Sequence, residues 1–348
     1  MALSTIKPAG GGDYTTFAAW VAAVQLNGDQ EDADCYAGGD LGELVLDEES
    51  GWTNTGSIIT GKDSPLGINK TADRSSVSWI GLDIYCATSV TIHDFFIDYP
   101  PIWFRNFGHG THDVVFYNNV IDVNFVSNDL ISLVAFSLDP VSASGGISCV
   151  LRNNVVYWRG PDNGGTSAVF SATAQQGGDG DGPPVSVTLY NNTFCSKQDG
   201  DGSTTPFYGM KWNDGGWSYT VICENNAVFS TVAGGADYIL VDNGTPAVIT
   251  AFNNNLSHDA TAGTFGGTGN LASQTTSGLV TDRQLNAYPQ TGSALIDAGK
   301  TEIGFSTDIA GTTRPQQSAW DIGAFEWILP PPVFGGGGGR FWRHRRRG

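Results

Sequence analysis

The chain has 348 residues, 35 acidic against 17 basic, for a net charge of −18, and over most of its surface such a body repels nucleic acid and anionic membrane. Glycine supplies 47 residues, close to twice the usual share of about 7%, which suits tight corners. No run of 18 apolar residues occurs, so no membrane-spanning helix is expected.

The opening Met1-Ala-Leu-Ser-Thr-Ile-Lys-Pro8 has neither the basic start nor the apolar stretch of a secretion signal. A product released by cell lysis would need no such signal. Ahead of Phe17-Ala-Ala-Trp-Val-Ala-Ala-Val24, Thr15 or Thr16 supplies the N-cap of a short amphipathic helix. Residues 1–30 read as an N-terminal cap.

From Val90 to Leu256 one phrase recurs six times. It runs apolar, any, apolar, any, Asn or Asp, then usually a second Asn, any, apolar. The copies are Val90–Ile97, Val114–Ile121, Cys149–Val156, Val187–Phe194, Val221–Val228 and Ile249–Leu256. Their first Asn or Asp falls at Asp94, Asn118, Asn153, Asn191, Asn225 and Asn253, at intervals of 24, 35, 38, 34 and 28 residues. Such a period, with strand alternation and no long helical pattern, is a solenoid signature. The apolar pair before the Asn lies on one strand face. The apolar position after it implies a corner that turns a second strand onto the same core. Asn tolerates the left-handed backbone of a sharp corner. Stacked about 4.8 Å apart in successive coils, the six named residues are expected to form a hydrogen-bonded ladder.

This pattern resembles the right-handed parallel β-helix of the pectate-lyase-like superfamily, in its bacterial and bacteriophage form. The opening Thr5–Val24 resembles the strand and helix that cap such solenoids. The close, Gly292-Ser-Ala-Leu-Ile-Asp-Ala-Gly299 with Arg314-Pro-Gln316 and Asp321-Ile-Gly-Ala-Phe-Glu326, resembles the ending of many of its members. The expected fold is all-β, with residues 31–329 forming one β-helix body and its closing segment. The superfamily is functionally mixed, so the resemblance carries no single activity.

Of the five cysteines, Cys149 and Cys223 occupy inward positions of the repeat and read as small core hydrophobes. Cys35, Cys86 and Cys195 complete an odd count with no metal spacing, so neither a disulfide framework nor zinc is assigned.

Three groups are candidates for chemistry. Enzymes of this resemblance cleave acidic polysaccharides, lyases with Ca²⁺ and an Arg or Lys base, hydrolases with clustered carboxylates. The densest ionisable stretch offers Asp94, Asp98, Asp122 and Arg105, with His93, His109, His112 and Asp113 beside them; Asp98 with Asp122 or Arg105 is the acid/base option. The alternative is that Asp94 is a ladder residue and the His-rich loop a hydrated connection. Asp179, Asp181, Asp199 and Asp201 lie in Gly-rich loops that could hold structural Ca²⁺ or be solvated turns. Trp212 and Trp217 flank Asn213–Gly216 and are candidates to stack on sugar rings, or to fold back over the solenoid. No cofactor other than this Ca²⁺ is expected.

After Pro330–Gly339, a Pro/Gly linker, comes the tail Arg340-Phe-Trp-Arg-His-Arg-Arg-Arg-Gly348. It holds five of the 17 basic residues, leaving 12 basic against 35 acidic in the body. Arginines could bind phosphates, although the acidic carrier opposes it. A dispensable tail is a second reading. The preferred one is a docking peptide in which Phe341 and Trp342 enter an apolar pocket while Arg340, Arg343, Arg345, Arg346 and Arg347 pair with acidic surface. Its partner would be another protein of an assembly or a further copy of this chain, a trimer included; cell-surface polysaccharide is a further partner. The expectation is a non-enzymatic structural β-helix protein, such as a phage head decoration, head fibre or tail fibre. The alternatives are a lyase or hydrolase of acidic glycans, and a carbohydrate-binding, self-assembling surface protein.

Overall fold

The computed structural model describes residues 2–27, 31–36, 41, 44–47, 57–61, 82–85, 89–97, 102–106, 112–124, 132–138, 147–159, 167–174, 185–196, 207–213, 219–229, 236–241, 248–283, 286–302 and 304–329. These are mostly parallel β-sheet built of stacked strands, with a single α-helix, Phe17–Asn27. No helix among them is long and apolar enough to cross a membrane.

Among the described residues there are three parallel sheets. The nine-stranded sheet takes, in spatial and chain order alike, Ala2–Ile6, Glu31–Cys35, Ser57–Gly61, Val90–His93, His112–Tyr117, Ile147–Arg152, Val185–Tyr190, Tyr219–Glu224 and Val248–Asn253. The six-stranded sheet takes Phe96–Ile97, Val120–Asn124, Val155–Arg159, Thr193–Ser196, Ala227–Phe229 and Leu256–Ser257. The seven-stranded sheet takes Leu44–Asp47, Leu82–Tyr85, Ile102–Asn106, Ser132–Leu138, Ser167–Ala174, Phe207–Asn213 and Ala236–Val241. From Val90 onward the chain visits the three sheets in the same order in each successive repeat.

The repeated phrase dictates this geometry. Its leading apolar pairs, such as Val187 with Leu189 and Val221 with Cys223, are fully buried on one face of the nine-stranded sheet. Phe194 and Val228 bury the matching face of the six-stranded sheet in the same core. Burying a side chain of this size contributes about 1.5–3 kcal/mol. Between the two sheets the chain turns on left-handed residues: Asp94 (φ 65°), Asn118 (56°), Asn153 (53°), Asn191 (52°), Asn225 (58°) and Asn254 (52°). A β-branched residue at these positions would be strained.

The opposite face of the six-stranded sheet is also covered. Val120, Val155, Tyr157, Cys195, Ala227 and Phe229 form a second core with Leu279, Leu295, Ile309, Ile322 and Phe325 of the C-terminal segment. Buried on both sides, this sheet carries near-continuous apolar runs such as Val155-Val-Tyr157.

Two differences from the expected asparagine row have physical causes. The unbroken row of side-chain bonds runs through the second residue of each pair. Asn119 Nδ2 donates to Asn154 Oδ1 (3.2 Å), Asn154 to Asn192 (3.0 Å), Asn192 to Asn226 (2.9 Å) and Asn226 to Asn255 (3.1 Å). The first residue must supply the left-handed corner, and at Asn153, Asn191, Asn225 and Asn254 its side chain turns toward the C-terminal segment. First-position carboxamides are joined in the pairs Asn153 to Asn118 (3.3 Å) and Asn225 to Asn191 (3.2 Å). Second, a bulge between Val221 and Ile222 shifts the last strand by one, so that Asn254 pairs with Asn225's place and Asn253 faces Glu224. The corner role expected of Asn253 therefore belongs to Asn254.

The helix Phe17–Asn27 lays Phe17, Trp20 and Val24 on the N-terminal end of the core. Thr16 is its cap: Ala19 N–H donates to Thr16 Oγ1 at 3.2 Å.

Candidate functional site

Ionisable chemistry among the described residues gathers where the C-terminal segment, residues 279–329, returns along the asparagine corners. The corners serve as its docking row. Asn153 Nδ2 donates to Thr307 O (2.8 Å), Asn191 Nδ2 to Asp321 O (3.1 Å) and Gly323 O (3.2 Å), Asn225 Nδ2 to Lys300 O (2.7 Å) and Asn254 Nδ2 to Ala298 O (2.8 Å). Asp321 and Gly323 are buried, and an unpaired carbonyl there would cost about 1–3 kcal/mol. Gly323 (φ 98°) makes close approach possible, since a Cβ there would lie 2.6 Å from Thr193 Oγ1.

Inside the segment sits Arg314, with a fully buried side chain. Its Nη1 donates to Glu326 Oε2 (3.0 Å) and Asp321 O (3.1 Å), and Nη2 donates to Gly323 O (2.9 Å). The guanidinium lies 5.5 Å from the Trp320 ring centroid. Asp308 accepts from the N–H groups of Ala310, Thr312 and Glu326. Asp321 accepts from those of Asp297 (2.7 Å) and Trp327 (2.5 Å). One arginine faces three carboxyls here, and burial decides the balance: it pushes Asp321 up to about 7 and raises Asp308 and Glu326 as well.

A second cluster joins the segment to the nine-stranded sheet. Glu224, 3% exposed, accepts on Oε1 from Asn253 Nδ2 (2.6 Å) and Lys300 Nζ (2.5 Å). Glu302 stands 4.0 Å from the same Nζ. Burial, and then the charge of Glu224, push its carboxyl up to about 8.

Along the same sheet a stack of rings continues from the segment. Arg152 lies over Tyr117 (4.4 Å) and Phe305 (5.1 Å), and its Nη1 donates to Gly304 O (3.2 Å). Phe305 packs edge-on against Trp320 (5.2 Å). His93 stacks on Tyr117 (4.5 Å), with Nδ1 2.7 Å from Asp94 Oδ2 and Nε2 3.0 Å from Thr60 Oγ1.

The candidate acid/base residues do not share a sheet. Asp94 is the corner after the strand Val90–His93, Asp122 lies in the six-stranded sheet and Arg105 in the seven-stranded sheet. Trp212 also lies in the seven-stranded sheet, in register with Ala172 and Leu240. Asp98, His109, Trp217, Asp179, Asp181, Asp199, Asp201 and the whole of 330–348 lie outside the described residues. Among those described, no group of three or more His, Cys, Asp or Glu side chains is placed to hold a metal ion. Cys35, Cys149, Cys195 and Cys223 are buried thiols whose pKa burial pushes up.

Glu224, Lys300, Glu302, Arg314, Asp308, Asp321 and Glu326 are not among the residues that the repeat or the ionisable stretches of the sequence single out for chemistry. The usable signal was the polar spacing within Arg314–Glu326, where two acids and an arginine alternate with Trp320, Ile322 and Phe325. No family model, curated protein or solved structure matches the chain.

Proposed function

We infer that this chain is a right-handed parallel β-helix whose stacked asparagines form a ladder, and that it serves as a non-enzymatic structural component on the surface of a large assembly, such as a phage virion. The supporting observation is the use made of its buried charge. Arg314, Asp308, Asp321 and Glu326 bond to one another and to backbone within the returning segment, and the Lys300–Glu224 pair with the corner asparagines holds that segment against the strands. Rigidity gained this way suits a part that must keep its shape while displayed. Parallel sheets stacked strand on strand are the framework a solenoid of this kind requires. The phage setting rests on the resemblance of the repeat and ending to phage-borne β-helix proteins. In this reading the linker Pro330–Gly339 carries Phe341, Trp342 and the arginines of the tail to the docking partner.

The alternative of a polysaccharide lyase or hydrolase needs carboxylates on one face, roughly 5–9 Å apart; its candidate Asp98 lies outside the described residues, while Asp94 sits at a corner, Asp122 in the six-stranded sheet and Arg105 in the seven-stranded sheet. A screen of purified protein against acidic and neutral polysaccharides, read by new reducing ends and by absorbance of unsaturated sugars, tests the non-enzymatic reading. No turnover is expected. Cleavage that Asp122→Ala abolishes would replace it with the enzyme reading.

A further inference from the structure

Glu224 Oε1 gathers two nitrogens that the sequence holds far apart, Asn253 Nδ2 at 2.6 Å and Lys300 Nζ at 2.5 Å. The amine and the carboxamide can therefore be no further apart than these two contacts laid end to end. The other end of the carboxamide is also held. Asn253 Oδ1 accepts from the Thr268 N–H at 2.9 Å and lies 3.4 Å from Thr268 Oγ1. Gly267 (φ 79°) makes that approach possible, because a Cβ there would stand 1.8 Å from Phe252 O. An amine thus lies beside an amide whose oxygen faces a fixed N–H donor and whose nitrogen touches a carboxylate. These are the parts of an acyl-transfer site: nucleophile, polarised carbonyl, oxyanion donor and proton carrier. The carboxylate is 3% exposed, so bulk water does not compete for it.

We propose that Lys300 and Asn253 become joined by a side-chain isopeptide bond, with Glu224 carrying protons between them. Glu224 Oε1 takes a proton from the Lys300 ammonium, and the freed Nζ pair adds to Asn253 Cγ. The charge that develops on Oδ1 is met by the Thr268 N–H. As the adduct collapses, the Cγ–Nδ2 bond breaks, and a second proton from Nζ passes through Glu224 to the departing nitrogen. An ammonium and a primary carboxamide become a secondary amide and ammonium, with no change of oxidation state. Glu302, whose carboxyl burial and the charge of Glu224 push upward, stands 4.0 Å from the same amine. The bond would tie the C-terminal segment covalently to the strand Val248–Asn253, restricting the unfolded chain as any long-range cross-link does.

Intact-mass spectrometry under denaturing conditions tests this on the full chain, with Lys300→Arg prepared alongside so that N-terminal processing cancels. The expected result is a wild-type mass lower by one ammonia, a digest peptide linking Asn253 to Lys300, and no such loss in Lys300→Arg. Glu224→Gln should slow or abolish the loss. A wild-type mass that stays at the sequence value after incubation overturns the proposal. So does an ammonia loss that persists in Lys300→Arg, which would mark a backbone succinimide instead. Lys300→Arg keeps a cation on a half-exposed side chain, so the comparison holds even where Glu224→Gln fails to fold.

Discussion

Asn192 Nδ2 donates to Asn226 Oδ1 at 2.9 Å, while the same oxygen accepts the backbone N–H of Asn192 at 3.0 Å. One carboxamide thus closes both the side chain and the corner backbone of the neighbouring repeat. The same double bond recurs from Asn154 to Asn192 and from Asn226 to Asn255.

Asn192→Ala should therefore be costly. Asn192 Nδ2 also bonds Leu151 O at 3.0 Å, and its Oδ1 serves the N–H and Nδ2 of Asn154. Unsatisfied buried groups cost about 1–3 kcal/mol each, so a loss of about 3 kcal/mol is expected in urea denaturation. An unchanged midpoint would mean these bonds contribute nothing net.

Arg314→Met should destabilise by about 3–5 kcal/mol, the usual cost of leaving a buried charge without its partner. It strands Glu326 and the carbonyls of Asp321 and Gly323. Adding Glu326→Gln should recover part of the loss. A double variant no more stable than Arg314→Met would show that the carboxylate is not the stranded group.

Stability should fall as pH rises from about 5 to 8. Glu302 is raised from its ordinary 4.5 to about 8 and Asp321 from 3.8 to about 7, with Asp308 and Glu326 raised too. The folded state then holds protons that the unfolded chain releases, so unfolding gains from each step up in pH. The contribution is fully present below the ordinary carboxylate range and is lost through the folded values. Facing Glu302 are Glu224, Lys300 and Tyr190, whose own ionisation burial and these acids push up to about 12. Urea midpoints measured between pH 5 and 9 should drop, and Glu302→Gln should flatten the drop. A midpoint that rises with pH would contradict the assignment.

Gly323→Ala should cost more than 1 kcal/mol. Its φ of 98° is unfavourable for a side chain, and the new methyl would meet Thr193 Oγ1, which accepts the Ala324 N–H at 2.8 Å. Thr193→Ala on the same background should relieve the collision but not the backbone strain. A Gly323→Ala protein melting with wild type would place the segment differently.

The parallel sheets and their inward faces were legible because period-two alternation ends at an Asn pair in copy after copy. The division of labour within the pair was not. Asn191 and Asn192 are the same residue type, and only the backbone tells that the first turns left-handed while the second bonds its neighbour. The shift at Asn253 was hidden because three asparagines in a row leave two possible frames, and a bulge chose the later one. The C-terminal cluster was hard to read for another reason. Glu224 meets Lys300 and Glu302 only through tertiary return of the chain, and nothing local to Glu224 distinguishes it from Tyr190 or Arg152 at the same repeat position. Val120, Val155 and Ala227 were unremarked apolar residues whose burial on the outer side of the six-stranded sheet announced that something must cover it.

The docking role is tested most directly by comparing full-length protein with a chain ending at Gly339, by negative-stain microscopy and solution mass at low salt, alone and with isolated phage heads. Assembly or decoration by the full-length protein alone is the predicted result. Identical free monomers from both, with no decoration by either, would contradict it.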